Sequence, residues 1–266
     1  MIENPPGGAR YDTWIRKRNV ILFWTLTVLC AATAALGFVN PWLTLVGLTA
    51  LPFAYIAVVI SLAAYRFAPR GGDYQNRIHQ LLVESVDESG SVLDIGCGSG
   101  HLIIKIARAR PHTTCTGVDL WGDEWEYSRH QCQENVRLEG VEDVRFVRAS
   151  ASDLPFETDS FDSIVSCLTF HEVLDQPDKT TALGEALRVL KPGGTFALLD
   201  LFADNSKFSS ADEPGRTALD RVIGAIVASG GDIAVRKRLS EIMPLPYPMD
   251  TGKVLRHAVL LIGTKR

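Results

Sequence analysis

Apolar and polar positions divide the chain into two unlike parts. From Asn19 to Tyr65 there is no Asp, Glu, Lys, Arg or His, whereas later windows of that length are rich in charge. Past residue 75 short apolar runs alternate with amphipathic stretches. The pattern predicts helices over 74–86, 101–110, 125–139 and 179–190, and strands over 91–95, 113–119, 143–148, 161–168 and 195–201. A further amphipathic helix is expected over 215–231, with two closing antiparallel strands in 232–241 and 256–266. Such alternation predicts an α/β fold, a doubly wound sheet with helices on both faces. In that architecture ligands bind beyond the carboxyl ends of the strands, where strand order reverses.

The uncharged part splits at GFVNPW (residues 37–42) into two apolar stretches of about twenty residues each, enough to cross a bilayer core of about 30 Å as helices. The expected organisation is a cytosolic segment 1–18, a two-helix transmembrane hairpin 19–65, a linker 66–75 and a soluble domain 76–266. Arg10, Arg16, Lys17 and Arg18 precede the hairpin and Arg66, Arg70 and Arg77 follow it, while the turn carries no charge. The positive-inside bias then places both termini and the soluble domain in the cytosol, as a multi-pass membrane protein. Two buried helices of a soluble bundle, or a cleaved signal peptide, are the competing readings. A signal peptide has a shorter apolar core and a polar mature chain behind it, not a second apolar stretch. Pro52 predicts a kink in the second helix. Gly37, Gly47 and the neighbouring alanines offer small-residue faces through which hairpins can associate into an oligomer.

Charge and cysteine content narrow the partners. A net charge of -4 counts against nucleic acid, whose binders carry a clustered basic excess. Five cysteines with no Cys-x-x-Cys spacing predict neither a zinc site nor a disulfide framework, so they read as reduced, mostly buried thiols.

The chemistry concentrates in the turn after the first predicted strand, Gly96-Cys97-Gly98-Ser99-Gly100-His101. A dinucleotide fingerprint would place glycine at position 101, where His101 stands. Asp94, just before the glycines, suits a cationic group better than a phosphate. Asp119, about twenty residues on, is placed to accept ribose hydroxyls. A ribose with a cationic tail suggests S-adenosylmethionine. The motifs VLDIGCGSG (92–100), GVDL (117–120), ASDLPF (151–156), SFDSIVSCLTFHEV (160–173) and LRVLKPGGTFALLD (187–200) together resemble those of class I S-adenosylmethionine-dependent methyltransferases, near the quinone, sterol and other small-molecule enzymes. The resemblance implies a Rossmann-like fold, S-adenosylmethionine as cofactor and S-adenosylhomocysteine as product. It implies that Asp94, Gly96, Gly98 and Gly100 floor the methionine side, that Asp119 holds the ribose and that Leu120 and Trp121 flank the adenine. Ser150 and Ala151 would meet the adenine edge, with Cys167 and Leu168 near the sulfonium. Many relatives carry Gly-Asp-Ala where this chain has Ala149-Ser150-Ala151, so the contact to the adenine amino group passes to the Ser150 hydroxyl, a backbone group or Asp153. Asp94 and Asp119 are alternatively turn-capping residues, and Trp121 a surface aromatic. KPGG (191–194) reads as a helix stop and turn without chemistry.

Methyl transfer is an in-line displacement that needs alignment more than reacting side chains. For a hydroxyl acceptor a base helps, and His171 is the candidate, a structural histidine being the alternative. Asp200 is a weaker candidate for a polar group on the substrate side, and the proline-rich loop 242–250 for a wall of the acceptor pocket, a membrane-facing segment or a plain connection. The hairpin adds an expectation about substrate: a hydrophobic or lipid-like acceptor at the cytosolic membrane face. The alternatives are a soluble small-molecule acceptor with the hairpin as an address, and a non-catalytic cofactor-binding module.

Overall fold

The computed structural model describes residues 8–37, 40–122, 125–202, 208 and 217–266, and its chain forms two compact units. One comprises Asp12–Asn76 with Tyr247–Met249; the other comprises the residues up to Tyr11, Arg77–Pro246 and Asp250–Arg266.

The first unit is helical. Helix α1 (Lys17–Ala35) is followed by α2 (Pro41–Gly47) and α3 (Ala50–Phe67); residues 38–39 of the expected turn lie outside the described residues. Asn40 caps α2, its Oδ1 accepting from Trp42 N at 3.1 Å, and Pro41 occupies the first helical position, where its missing N–H costs nothing. Leu48 and Thr49 between α2 and α3 keep helical backbone, so the second apolar stretch loosens there without ending, and Trp42–Phe67 is long and apolar enough to cross a membrane. The physical cause of the loosening is Pro52, whose ring lacks an N–H and crowds the carbonyl four residues back, at Leu48. A Cβ on Gly47 would come within 2.2 Å of Ala34 Cβ, so the glycine serves close packing of α2 on α1 inside the hairpin, not a face left open for oligomers. Trp24 Nε1 donates to Ser61 Oγ at 3.1 Å, tying α1 to α3. At the other end Trp14 meets Phe67 edge-on and Gln75 Nε2 donates to Asp12 O; the expected linker is thus ordered, with Ala68, Gly71 and Tyr74 buried.

The second unit is a seven-stranded sheet. After α4 (Tyr74–Val83) come β1 (Ser89–Ile95), α5 (His101–Ala109), β2 (His112–Asp119), α6 (Arg129–Glu139), β3 (Val144–Arg148), β4 (Phe161–Cys167), α7 (Thr180–Val189), β5 (Leu190–Leu201), α8 (Ala218–Ala228), β6 (Gly231–Arg238), a short α9 (Leu239–Ile242) and β7 (Ala258–Lys265). The order is β3-β2-β1-β4-β5-β7-β6, parallel except that β7 runs antiparallel between β5 and β6. This is the Rossmann-like fold that the alternation predicts. Because β1 pairs with both β2 and β4, strand order reverses between β1 and β4, which fixes where a ligand can enter. The core around Leu93, Ile95, Ile164, Leu187, Phe196 and Leu198 is apolar on both sheet faces, as crossover helices require.

Two expected elements differ. The helix expected from residue 125 starts only at Arg129, where Ser128 Oγ accepts from Gln131 N at 3.1 Å; Trp125 and Tyr127 instead stack on each other. KPGG is not a turn between elements: β5 begins at Leu190 directly after α7, and the four residues form an irregularity within the strand, with Gly193 at φ +78°. Residues 215–216 of the expected helix lie outside the described residues.

Candidate functional site

Three strand ends converge on the switch point. Asp94, the next-to-last residue of β1, is 1% exposed, and neither carboxyl oxygen has a hydrogen-bond partner among the described residues. Burial, with the Asp119 carboxylate second, pushes its pKa up to about 8; the nearby Ile103 N–H offsets this in part without closing a hydrogen bond. A buried unpartnered carboxyl is costly, and a cation from a ligand is what removes the cost.

The glycine turn gives that ligand room. Gly96, Gly98 and Gly100 have φ of +77°, +55° and +82°, where L side chains are strained. A Cβ on Gly96 would also meet the Thr169 side chain at about 2 Å. Gly98 N donates to Asp119 Oδ2 at 2.9 Å, and Trp121 N to Oδ1 at 2.8 Å, so the end of β2 is locked to the turn. Burial raises the Asp119 pKa against the pull of these amides and that of Leu120. Trp121 is no plain surface aromatic: its Nε1 donates to Gly98 O at 2.9 Å, its ring meets Phe146 edge-on, and its φ is +43°. Leu120 stays exposed.

The third wall departs from the motif expectation in an informative way. Ser150 Oγ accepts from Ser152 N at 3.2 Å and lies 2.9 Å from Ser152 Oγ, which donates to Asp175 Oδ2 at 2.7 Å. Burial acts to raise the Asp175 pKa, but hydrogen bonds from Ser150 and Ser152 outweigh it and hold the carboxyl low. Asp175 therefore brings a carboxylate to the wall where the motif aspartate is missing, while Asp153 is exposed. Half-buried Ala151 packs on the apolar core.

At the ends of β4 and β5, Cys167 is buried and its thiol pushed well up, first by burial and then by the Asp94 and Asp200 carboxyls. Leu168 follows at φ +56°, its N–H donating to Leu199 O. The chain then turns through Phe170–Glu172. His171 Nδ1 lies 2.5 Å from Asp200 Oδ1. The other oxygen of Asp200 accepts from Phe170 N at 2.6 Å and Thr169 N at 3.1 Å, and Leu201 N donates to Oδ1 at 2.7 Å. Asp200 is fully buried, so it does not stand on the substrate side; it stands behind His171. Burial alone would lower the histidine's pKa, but the charge and hydrogen bond of Asp200, with Glu172 adding, raise it. Glu172 Oε1 is 3.6 Å from Nε2, and buried Lys179 donates from Nζ to the His171 carbonyl.

Position 101 is filled for packing: the His101 ring stacks on Tyr11 at 4.2 Å and meets His79 edge-on. Asn135 joins the same neighbourhood, donating to Ser99 O of the glycine turn and to Arg10 O. Asp175, Asn135 and Tyr11 escaped the sequence reading because each depends on partners far away in the chain. The positioning role of Asp200 had a signal: LLDL repeats the pattern of VLDI, an acid closing a buried strand.

Residues 92–194 match the family model described as a methyltransferase domain. Among curated proteins, the chain is 32% identical over 173 residues to the methyltransferase GfsG of Streptomyces halstedii, covering 64% of this chain and 55% of that protein. It is 30% identical over 181 residues to the ubiquinone/menaquinone biosynthesis C-methyltransferase UbiE of Bartonella tribocorum, covering 63% and 62%. The chain spans between 41% and 62% of the length of the first curated relatives it matches. Among solved structures, geranyl diphosphate C-methyltransferase from Streptomyces coelicolor A3(2), in complex with Mg2+, geranyl diphosphate and S-adenosyl-L-homocysteine, superposes with a TM-score of 0.54 at 14% identity, covering 72% of this chain and 79% of that one; at that identity the likeness speaks to the fold. The glycine turn and Asp94, which has no hydrogen-bond partner among the described residues, lie within the stretch that matches the methyltransferase-domain model, and the strand order places them at the switch point of the sheet.

Proposed function

We propose that the chain is a membrane-associated enzyme that moves the methyl group of S-adenosylmethionine onto a small hydrophobic or lipid-like acceptor, with His171 as the base when the acceptor atom is a hydroxyl oxygen. The observation that carries the catalytic part is the His171–Asp200 pair at 2.5 Å, closing the carboxyl ends of β4 and β5 beside the glycine turn.

The residues present fit the cofactor. Asp94 is a buried carboxyl with no hydrogen-bond partner among the described residues, and the ammonium of the methionine part would stabilise its charged form there. Asp119, held by two backbone amides, keeps acceptor capacity for ribose hydroxyls. Leu120 and Trp121 offer apolar surface to the adenine, and Ser150, Ala151 and Asp175 its polar edge. Cys167 and Leu168, at the end of β4, line the methyl side. When bound, the cofactor supplies an electrophilic methyl on a sulfonium.

A carboxylate can only accept, so Asp200 takes the Nδ1–H of neutral His171 and leaves Nε2 with a lone pair. In that tautomer Nε2 would take the proton of an acceptor hydroxyl, while the bound cofactor would supply the methyl group. The resulting imidazolium is stabilised by Asp200 and Glu172, then returns its proton to water.

The membrane part of the proposal draws on the helical unit. None of the residues of α1 is buried, and α3 buries only Ala57, Ala63 and Phe67, unlike the core helices of a soluble bundle. Ile21, Leu22, Val28, Trp42, Leu45 and Leu51 are exposed apolar side chains, and basic residues flank the unit on both sides. A catalytic domain held at the cytosolic leaflet meets membrane-dissolved acceptors at high local concentration.

The test is to incubate the detergent-solubilised protein with methyl-labelled S-adenosylmethionine and total host lipid, then follow the label by mass spectrometry. Label in the organic phase with the intact protein and not with Asp94→Ala is the expected result. Label transferred only to water-soluble acceptors would overturn the lipid-like substrate, and no transfer to any acceptor despite cofactor binding would overturn catalysis.

A further inference from the structure

Ion pairing is uneven over the sheet unit. Arg108 pairs with Glu139, Arg188 with Glu185, Lys191 with Asp162 and Lys265 with Asp159. By contrast Arg236, Lys237 and Arg238 at the end of β6, with Lys253 and Arg256 before β7, are all exposed and form no ion pair among the described residues. Between positions 236 and 257 the chain has these five bases and two acids, Glu241 and Asp250, although its net charge is -4. Glu241 is engaged in capping α9, its Oε2 accepting from Arg238 N at 3.2 Å.

Strand pairing gathers these cations on one rim of the sheet. Arg238 pairs with Val259 of β7, and Val259 with Asp200 of β5, so two strand spacings of about 4.8 Å put Arg238 about 10 Å from Asp200. The chain stays paired beyond the strand, Phe202 N donating to His257 O at 3.1 Å. The turn before β7 folds onto the same place. Val254 N and Arg256 N both donate to Thr251 O, and a Cβ on Gly252 would come within 3.3 Å of His257 Nε2, which sets Lys253 beside His257. Because β6 and β5 both run antiparallel to β7, their carboxyl ends share one rim. It is the rim on which the His171–Asp200 pair closes β4 and β5.

β6 is the outermost strand, and charge on an edge strand guards it against pairing with other chains. That accounts for Arg236, Lys237 and Arg238, but not for Lys253 and Arg256, which lie off the strand. Elsewhere on the rim the acids are engaged: Glu172 lies by His171, Asp175 accepts from Ser152, and Asp178 pairs with Arg221.

We infer that this basic rim is the face that the sheet unit applies to an anionic lipid leaflet, its five cations meeting phospholipid headgroups, so that the carboxyl ends of the strands open toward the membrane. The inference rests on the membrane association proposed above. A headgroup layer asks for one basic rim, whereas a nucleic-acid binder carries a basic excess that this chain lacks. Each Lys or Arg at an anionic leaflet strengthens binding about fivefold, and salt screens the attraction. An acceptor dissolved in the leaflet then reaches His171 without passing through bulk water.

The experiment reconstitutes the full chain in vesicles of phosphatidylcholine alone or with about one third phosphatidylglycerol, and follows hydrogen exchange of the amides of residues 235–238 and 251–257. These amides are expected to exchange about fivefold more slowly with phosphatidylglycerol, those of α5 to stay unchanged, and high salt to remove the difference. The combined variant Arg236→Gln, Lys237→Gln and Lys253→Gln is expected to lose the slowing, with unchanged α5 exchange as the sign that it folds, while Lys237→Arg with Lys253→Arg keeps it. Equal exchange in both vesicles would overturn the inference, as would slowing that survives the combined variant. Slowing that follows protein density instead of phosphatidylglycerol would assign the rim to a second copy paired along β6, and slowing produced by an RNA duplex but not by phosphatidylglycerol would assign it to nucleic acid; either overturns the leaflet. A chain that floats with neither vesicle would instead overturn membrane association itself, so flotation before exchange tells the two failures apart.

Discussion

Two buried acids close two strands of the same sheet and have opposite surroundings. Asp94, after the apolar run of β1, has no hydrogen-bond partner among the described residues; Asp200, near the end of β5, accepts from three backbone amides and holds His171. Buried acids at strand ends therefore do different work. The one without a partner among the described residues is the proposed cation site, and the satisfied one holds the ring of a neighbouring histidine. The energetic contrast follows from burial: a lone carboxyl in low dielectric leaves its oxygens unsatisfied, while several N–H donors satisfy those of the other.

The sharpest test of the Asp200 side of the comparison is His171→Ala. With a hydroxyl acceptor it is expected to lower kcat about 10²- to 10⁴-fold, the usual worth of a positioned base, and to leave cofactor affinity unchanged by calorimetry. A loss of cofactor affinity equal to the loss of rate would assign His171 to structure instead. Next in size, Asp94→Ala is expected to weaken S-adenosylmethionine binding about 100-fold, near 3 kcal/mol, the upper range for a hydrogen bond to a charged group; unchanged binding would remove Asp94 from the site.

Asp200→Asn is expected to lower kcat about tenfold or more. It also removes the charge that raises the His171 pKa, so the rise of rate with pH should move to lower pH while the plateau falls. An unshifted profile would mean that His171 does not titrate in the reaction.

The pH dependence of cofactor affinity follows from Asp94. Its pKa, about 8 in the protein without ligand, is above that of the unfolded chain. Between about pH 4 and 8 the folded state therefore holds the extra proton, and stability without ligand falls as pH rises through that window. A bound cation favours the carboxylate, so binding releases a proton below pH 8. Affinity should rise by up to about tenfold per pH unit and level off above about 8. Calorimetry in buffers of different ionisation enthalpy reads the released proton, and Asp94→Asn should abolish both the release and the fall in stability. The smallest effect is expected at Asp175→Ala, a few-fold loss of cofactor affinity, since this carboxylate is solvated and acts through Ser150 and Ser152.

Local pattern determined much of this protein on its own. The acid-closed apolar runs, the glycines at alternate positions and the alternation of strand and helix are properties of short windows, so β1, the turn at Gly96–Gly100, α5 and Asp119 were legible before any packing was known. So was the uncharged stretch 19–65, because the absence of charge is a composition. The late start of α6 was not, since a capping serine and two stacked aromatics set it against the local propensity.

Tertiary structure alone decided the rest. The place of β7 between β5 and β6, the His171–Asp200 pair across 29 residues, the Ser150–Ser152–Asp175 network and the Tyr55–Tyr247 contact across 192 residues all depend on which distant segments pack together. Periodicity says which face of an element is apolar but not which partner covers it. A carboxyl at the end of a strand is therefore written in the sequence, while its partner, or the lack of one, is settled only when the sheet closes around it.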